Sequence, residues 1–142
     1  MKFVQLNDHS HYSLLDALGS PKELAKKAKE VGYSAMALTD NAYLYGAIEF
    51  YKACKDNGIK AIIGTDFYIA SDSRFDYSES SQNKTYKLTV LAKNNEGYHN
   101  LLKLSTKAST ESTFQKPRKD FNLLKKNSKE LFVLRWRKKG KI

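Results

Sequence analysis

The stretch Ala35-Met36-Ala37-Leu38-Thr39-Asp40-Asn41 is a short apolar run of strand length that breaks off into polar residues. From about Gly46 to Asn57 the pattern becomes helical, and Gly58 supplies the C-terminal stop. Lys60-Ala61-Ile62-Ile63 then returns to a short, apolar, β-branched run. Strand, helix and strand in this order form a crossover unit, the repeating element of α/β folds with a mostly parallel sheet.

The flanking sequence extends the pattern. Upstream, Ser20-Pro21-Lys22-Glu23 reads as a capping box with proline at the first helical position, which predicts a helix running to Gly32. Leu24, Ala25, Ala28 and Val31 recur at helical spacing and predict one face packed on the sheet. Lys2 to Leu6 predicts a first strand, separated from that helix by a loop. Downstream, Gly64 reads as a break between the 60–63 strand and a second extended run, Phe67-Tyr68-Ile69-Ala70. Ser71 to Lys84 reads as an exposed loop, Tyr86 to Ala92 as a strand, and Asn95-Glu96 as the opening of a helix through Leu101, Leu102 and Leu104. Pro117 to Lys126 predicts a further helix and Leu131 to Leu134 a further strand. No internal repeat is visible.

Composition narrows the function classes. At 142 residues, 41% of them hydrophobic, the chain suits one packed domain and is not a disordered polymer. No run of roughly 18 apolar residues exists, and the amino terminus enters a strand-like segment with no charged-then-apolar leader. A soluble, cytoplasmic protein with no membrane partner is the expectation. The single cysteine, Cys54, lies in a helical apolar pattern and reads as a small buried thiol, so no disulfide framework or cysteine zinc site can be built. The net charge of +10 would attract nucleic acid, but Lys22, Lys26, Lys27 and Lys29 are spread over a helix as solvated faces usually are. Only Arg135-Trp136-Arg137-Lys138-Lys139-Gly140-Lys141 concentrates charge around an aromatic.

Chemistry in folds of this kind sits on the loops after the carboxyl ends of strands. After the first strand comes Asn7-Asp8-His9-Ser10-His11-Tyr12-Ser13-Leu14-Leu15-Asp16, with two histidines and two aspartates in ten residues. Imidazole and carboxylate are the usual nitrogen and oxygen ligands of zinc or manganese. Spacing alone leaves two readings open, a metal or acid-base site, or histidines that cap the loop or face solvent.

With the four residues before it, this stretch, Phe3 to Asp16, resembles the opening of the PHP (polymerase and histidinol phosphatase) domain of bacterial polymerase III alpha subunits. Ala37 to Tyr51 resembles that family's Thr-Asp-His-Gly-Asn-Leu-x-Gly segment leading into a Glu-Phe-Tyr helix. Gly58 to Tyr68, Leu88 to Asn94, Glu96 to Leu101, Lys116-Pro117-Arg118 and Leu123-Leu124 follow in the family's order. The resemblance implies the first part of a distorted seven-stranded (β/α) barrel, with residues 1–134 a partial PHP domain.

In active members a three-metal site takes ligands at the places held here by Asn7, His9, Asp16, Asn41, Asp66 and Lys87. Only His9 and Asp16 keep the family's residue, and Asp66 keeps a carboxylate on a shorter stem. A neutral amide is a poor zinc ligand and a charged ammonium is none. The substitutions predict a degenerate site with no occupied metal, in which Lys87 neutralises Asp16, Asp40 and Asp66, unless Lys87 simply points to solvent. Asp40 reads equally as a turn-forming residue or a site residue. His11 and His99 read as surface side chains.

The resemblance implies part of a DNA-directed DNA polymerase, a nucleotidyltransferase of DNA replication, with this part a structural module that braces the remainder of the alpha subunit. A proofreading subunit and DNA would be reached through the full polymerase. Family cofactors, zinc or manganese in the PHP site and magnesium in a separate polymerase domain, are not expected in this fragment, which should have no activity alone. The competing class is a metal-dependent phosphoesterase or 3′-to-5′ exonuclease, in which bound metal generates hydroxide. A free-standing nucleic-acid binder is the third. Residues 135–142 leave the family pattern and read as a divergent basic tail from a truncated or frameshifted gene end.

Overall fold

A computed structural model describes residues 3–70, 73, 75, 85–111 and 118–135. Its elements are α1 (Pro21–Glu30), β1 (Ala35–Leu38), α2 (Ala47–Asp56), β2 (Lys60–Ala70), β3 (Thr85–Ala92), α3 (Asn95–Glu111), β4 (Arg118–Lys119), α4 (Phe121–Lys126) and β5 (Leu131–Arg135). The sheet order is β1-β2-β3-β5, with β4 paired to β2. β1 and β4 run parallel to β2, while β3 is antiparallel to β2 and β5 antiparallel to β3. Two single bridges, Gln5↔Met36 and Asn41↔Asp66, are also parallel. The result is an α/β fold on a mixed sheet.

Local chemistry sets the helix ends. Ser20 and Glu23 form the reciprocal capping box that starts α1. Gly32 and Gly58 follow α1 and α2 at φ 82° and 68°, where a side chain would crowd the backbone. Leu24, Ala25 and Ala28 turn inward as their spacing predicts, but Val31 is exposed, because the helix has ended and Val31 is its C-cap.

Several expectations are corrected. Residues 3–6 make no regular strand: Gln5 bridges Met36 and its carbonyl accepts from the Ala37 N–H at 2.9 Å, after which the segment turns into the loop. Gly64 does not break β2. The strand is continuous and changes partner there, pairing with β1 over 60–63 and with β3 over 64–70. A Cβ on Gly64 would lie 2.5 Å from Leu91 Cδ2 and 2.7 Å from the Val90 carbonyl, so the glycine permits a close approach. The helix read from Pro117 begins only at Phe121. Arg118 and Lys119 are extended and pair with Tyr68 and Ile69, and the Asp120 carboxylate accepts from the Leu123 N–H at 2.8 Å, which fixes the start. Most of the 71–84 loop and residues 136–142 of the tail lie outside the described residues.

Residues paired across a ladder share a face, and here the two faces differ. Phe67, Ile69, Leu88 and Val90 pack under Leu101, Leu104, Leu123 and Leu124 of α3 and α4. Burying a side chain of this size contributes about 1.5–3 kcal/mol, so this layer carries much of the stability. A second cluster joins Ala25, Ala28, Met36, Leu38, Phe50, Ala53 and Cys54 between α1, α2 and β1. Burial there pushes the Cys54 thiol up to about 11. The opposite face of β2 and β3 presents Asp66, Thr89 and Lys87 to the loop after residue 6. Among the described residues no helix is long and apolar enough to cross a membrane.

Candidate functional site

Asp66 is the centre of the polar face and is buried to 1% exposure. The alternation of β2 turns it away from the Phe67 layer, and its ladder partner Thr89 donates a hydroxyl hydrogen bond to Oδ1. Four other contacts converge on the same carboxylate. His9 Nε2 lies 2.9 Å from Oδ2, Lys87 Nζ lies 3.0 Å from Oδ2, and Asn7 Nδ2 lies 3.1 and 3.2 Å from the two oxygens. Asn7 Nδ2 also reaches Thr39 Oγ1 at 3.0 Å and Thr89 Oγ1 at 3.2 Å, so its two hydrogens are shared among several acceptors. Burial alone would raise the Asp66 pKa. Hydrogen bonds from His9, Thr89, Lys87 and Asn7 outweigh it and bring the carboxyl down to about 2.

The other predicted carboxylates go elsewhere. Asp40 is buried and accepts from the Ser10 N–H at 2.6 Å, the Ser10 hydroxyl at 2.8 Å and the Ser13 hydroxyl at 2.7 Å. Its carbonyl accepts from Thr65 Oγ1 at 2.8 Å. It therefore fastens the loop to the end of β1, the turn-forming alternative. Asp16 is exposed and accepts from Asn41 Nδ2, while Asn41 Oδ1 is buried with no hydrogen-bond partner among the described residues. Lys87 thus meets Asp66 and neither Asp16 nor Asp40 among the described ion pairs. Asp40 is held instead by Ser10 and Ser13, and Asp16 by Asn41. His11 is exposed against the Tyr12 ring, and His99 is exposed on α3.

Three features escaped the sequence reading. Thr39 and Thr89 supply hydroxyls to the central network; Thr39 directly follows β1, whereas Thr89 lies mid-strand opposite Asp66 and carried no local signal. Ser10 and Ser13 fasten the loop, a role their spacing in a turn would allow. Asp8 has a buried Oδ2 with no hydrogen-bond partner among the described residues, and burial raises its carboxyl to about 6 against the opposing pull of His9.

The family model of the PHP domain matches residues 5–142. This chain belongs to the PHP domain family. It is 48% identical over 135 residues to a DNA polymerase III subunit alpha of Treponema pallidum, covering 94% of this chain and 12% of that protein. The same subunit of Chlamydia trachomatis is 46% identical over 135 residues, covering 94% and 11%, and that of Aquifex aeolicus 45% over 138 residues, covering 93% and 12%. The PHP chain thus spans about one-eighth of the length of the relatives it matches. Among solved structures, a metal-dependent phosphoesterase of Bifidobacterium adolescentis superposes with TM-score 0.52 at 16% identity, over 77% of this chain and 35% of that one. An amidohydrolase of Chromobacterium violaceum with bound sulfate gives TM-score 0.53 at 20% identity, over 73% and 34%. These two likenesses show the fold.

Of the six PHP ligand positions that the resemblance assigns, four gather in one hydrogen-bonded group, Asn7, His9, Asp66 and Lys87. The other two, Asp16 and Asn41, pair beside it. This donor set does not fit a metal cluster. Both Asp66 oxygens are already engaged by four side chains, one of them a cation, and two of the six positions, Asn7 and Asn41, are amides. Among the described residues no group of three or more His, Cys, Asp or Glu is placed to hold a metal ion.

Proposed function

We propose that this chain serves as the PHP-domain part of a replicative DNA polymerase alpha subunit, as a structural module and not as a nuclease. The observation that carries the reading is Lys87. Its ammonium stands 3.0 Å from the buried Asp66 carboxylate and supplies the positive charge that a divalent ion would otherwise bring. The Asp66 charge is balanced by a side chain of the domain itself, so this carboxylate needs no metal to hold the loop against the sheet. Identity to DNA polymerase III alpha subunits over 94% of the chain supports the parentage. The remainder of the alpha subunit is then the main partner, a proofreading subunit and DNA are met through the assembled polymerase, and the setting is cytoplasmic DNA replication. Nucleotide transfer, with its magnesium, belongs to another domain of that polymerase.

Metal analysis of the purified chain, paired with an exonuclease assay in added manganese, tests this. The expected result is metal far below one equivalent and no DNA degradation, with His9→Ala indistinguishable from the parent. Stoichiometric zinc or manganese with degradation abolished by His9→Ala would establish the metal-dependent phosphoesterase or 3′-to-5′ exonuclease instead. Restoring histidine at Asn7, Asn41 and Lys87 together should raise metal uptake, since imidazole replaces two amides and an ammonium.

A further inference from the structure

Residues 118–126 cover part of the apolar layer beside α3, and few contacts of the ladder hold them there. β4 pairs with β2 at two positions, Tyr68↔Arg118 and Ile69↔Lys119. α4 is six residues long and adds Leu123 and Leu124 as its buried side chains. Beyond it the chain returns to the sheet through β5, whose five ladder pairs are all with β3. Residues 118–126 can therefore leave the layer while the β2–β3–β5 ladder stays closed, which is how a small cooperative unit opens at a lower free energy than global unfolding.

The same segment carries a lysine into that layer. Lys119 shares a face with its ladder partner Ile69 and is completely buried. Among the described residues its Nζ has no hydrogen-bond partner and forms no ion pair, and it rests over the Phe67 ring. None of the charged groups on the surrounding elements compensates it. On β2 and β3, Asp66, Tyr68 and Lys87 belong to the opposite face of the sheet. On α3, Glu96, His99, Lys103 and Lys107 are exposed and Glu111 is half-buried at the helix end. On α4, Lys125 and Lys126 are exposed, and the Asp120 carboxylate before it accepts from the Leu123 N–H. Burial is what brings the Lys119 amine down to about 7. A neutral amine is tolerated in this layer, whereas an ammonium is stabilised once water reaches Nζ, which requires the segment to be off the sheet.

We propose that residues 118–126 form a proton-driven flap, in which protonation of Lys119 releases β4 and α4 from the sheet as a unit and bares the layer of Phe67, Ile69, Leu101 and Leu104 while the remaining strands stay paired. The open flap holds the proton more tightly than the closed one, so opening grows easier as pH falls toward 7 and levels off below it. The flap lies on the face opposite the Asp66 network and stands whether or not the chain acts as a structural module.

Amide hydrogen exchange of the full 142-residue chain, resolved by residue and corrected for the intrinsic pH dependence of exchange, tests the flap. The Leu123 and Leu124 amides, which both donate to Asp120, report on it. With the amine near 10.5 in the open segment and near 7 in the closed one, their opening constant should rise roughly twenty-fold from about pH 8.5 to about pH 6.5. The amides that tie β3 to β2 and β5 should not follow. Lys119→Met should remove the pH dependence, whereas Lys125→Met, on the exposed side of α4, should preserve it. The proposal is overturned if the two reporter amides open independently of pH, or if Lys119→Met keeps the parent's rise. It is also overturned if the sheet amides lose protection in step with the reporters, because the lysine then acts on global stability alone. That last contrast is read in the parent chain and needs no variant to fold.

Discussion

Lys87 and Lys119 sit on opposite faces of one sheet and meet opposite fates. Lys87 lies across the ladder from Tyr68, is 35% exposed and pairs with Asp66 at 3.0 Å. Lys119 lies across from Ile69, is fully buried, and among the described residues has no hydrogen-bond partner for its Nζ, which rests 3.6 Å above the centre of the Phe67 ring. The aromatic face gives some attraction, but desolvation dominates and brings the Lys119 amine down to about 7. What decides whether a lysine supports this fold is therefore the counter-charge opposite it, and not how deeply its stem is buried.

The sharpest way to test the contrast is Lys119→Met. The folded amine titrates near 7 and the unfolded one near 10.5, so the unfolded state holds the proton more tightly. The penalty is full below pH 7 and vanishes as pH rises through the unfolded value. Lys119→Met should therefore stabilise the chain by about 3 kcal/mol at pH 6, with the gain shrinking toward pH 10 in urea titrations. A pH-independent gain would mean the amine is not desolvated. On the other face, Lys87→Met should destabilise by about 2 kcal/mol, since it strands the buried Asp66 charge, with some relief because Lys87 is partly wet. Adding Asp66→Leu should recover much of that loss, and a double-mutant cycle measures the coupling. The smallest effect is expected from Thr89→Val, which removes one donor of several and should cost about 1 kcal/mol by the same titration. If Thr89→Val costs more than Lys87→Met, hydroxyl donors and not the ammonium hold the carboxylate.

The loop after residue 6 and the Asp66 network show the same division in legibility. Residues that act on near neighbours could be read directly: Ser20 and Glu23 form their box, Gly32 stops α1, and Cys54 is buried in the apolar pattern that surrounds it. The quoted PHP motifs located Asn7, His9, Asp66 and Lys87 before any of them was placed in space. The same motifs suggested that Lys87 faces three carboxylates, and it meets one. Asp40 was taken by Ser10 and Ser13, a choice made by the turn of the loop. Gly64 carries no local sign that Leu91 will lie against it from the neighbouring strand.

The order of residues on its own determined most of the strands and helices, the capping box of α1 and the glycine stops of α1 and α2. Those properties depend on residue identity and on contacts within a few positions. Only the tertiary structure decided that Asp66 is paired with Lys87 and hydrogen-bonded by Asn7, that Lys119 is buried with no counter-charge among the described residues, and that three leucines, Leu14, Leu15 and Leu18, stand in water. Partners such as Asn7 and Asp66 are 59 positions apart, and strand pairing, which no short window of sequence contains, is what brings them within hydrogen-bond reach.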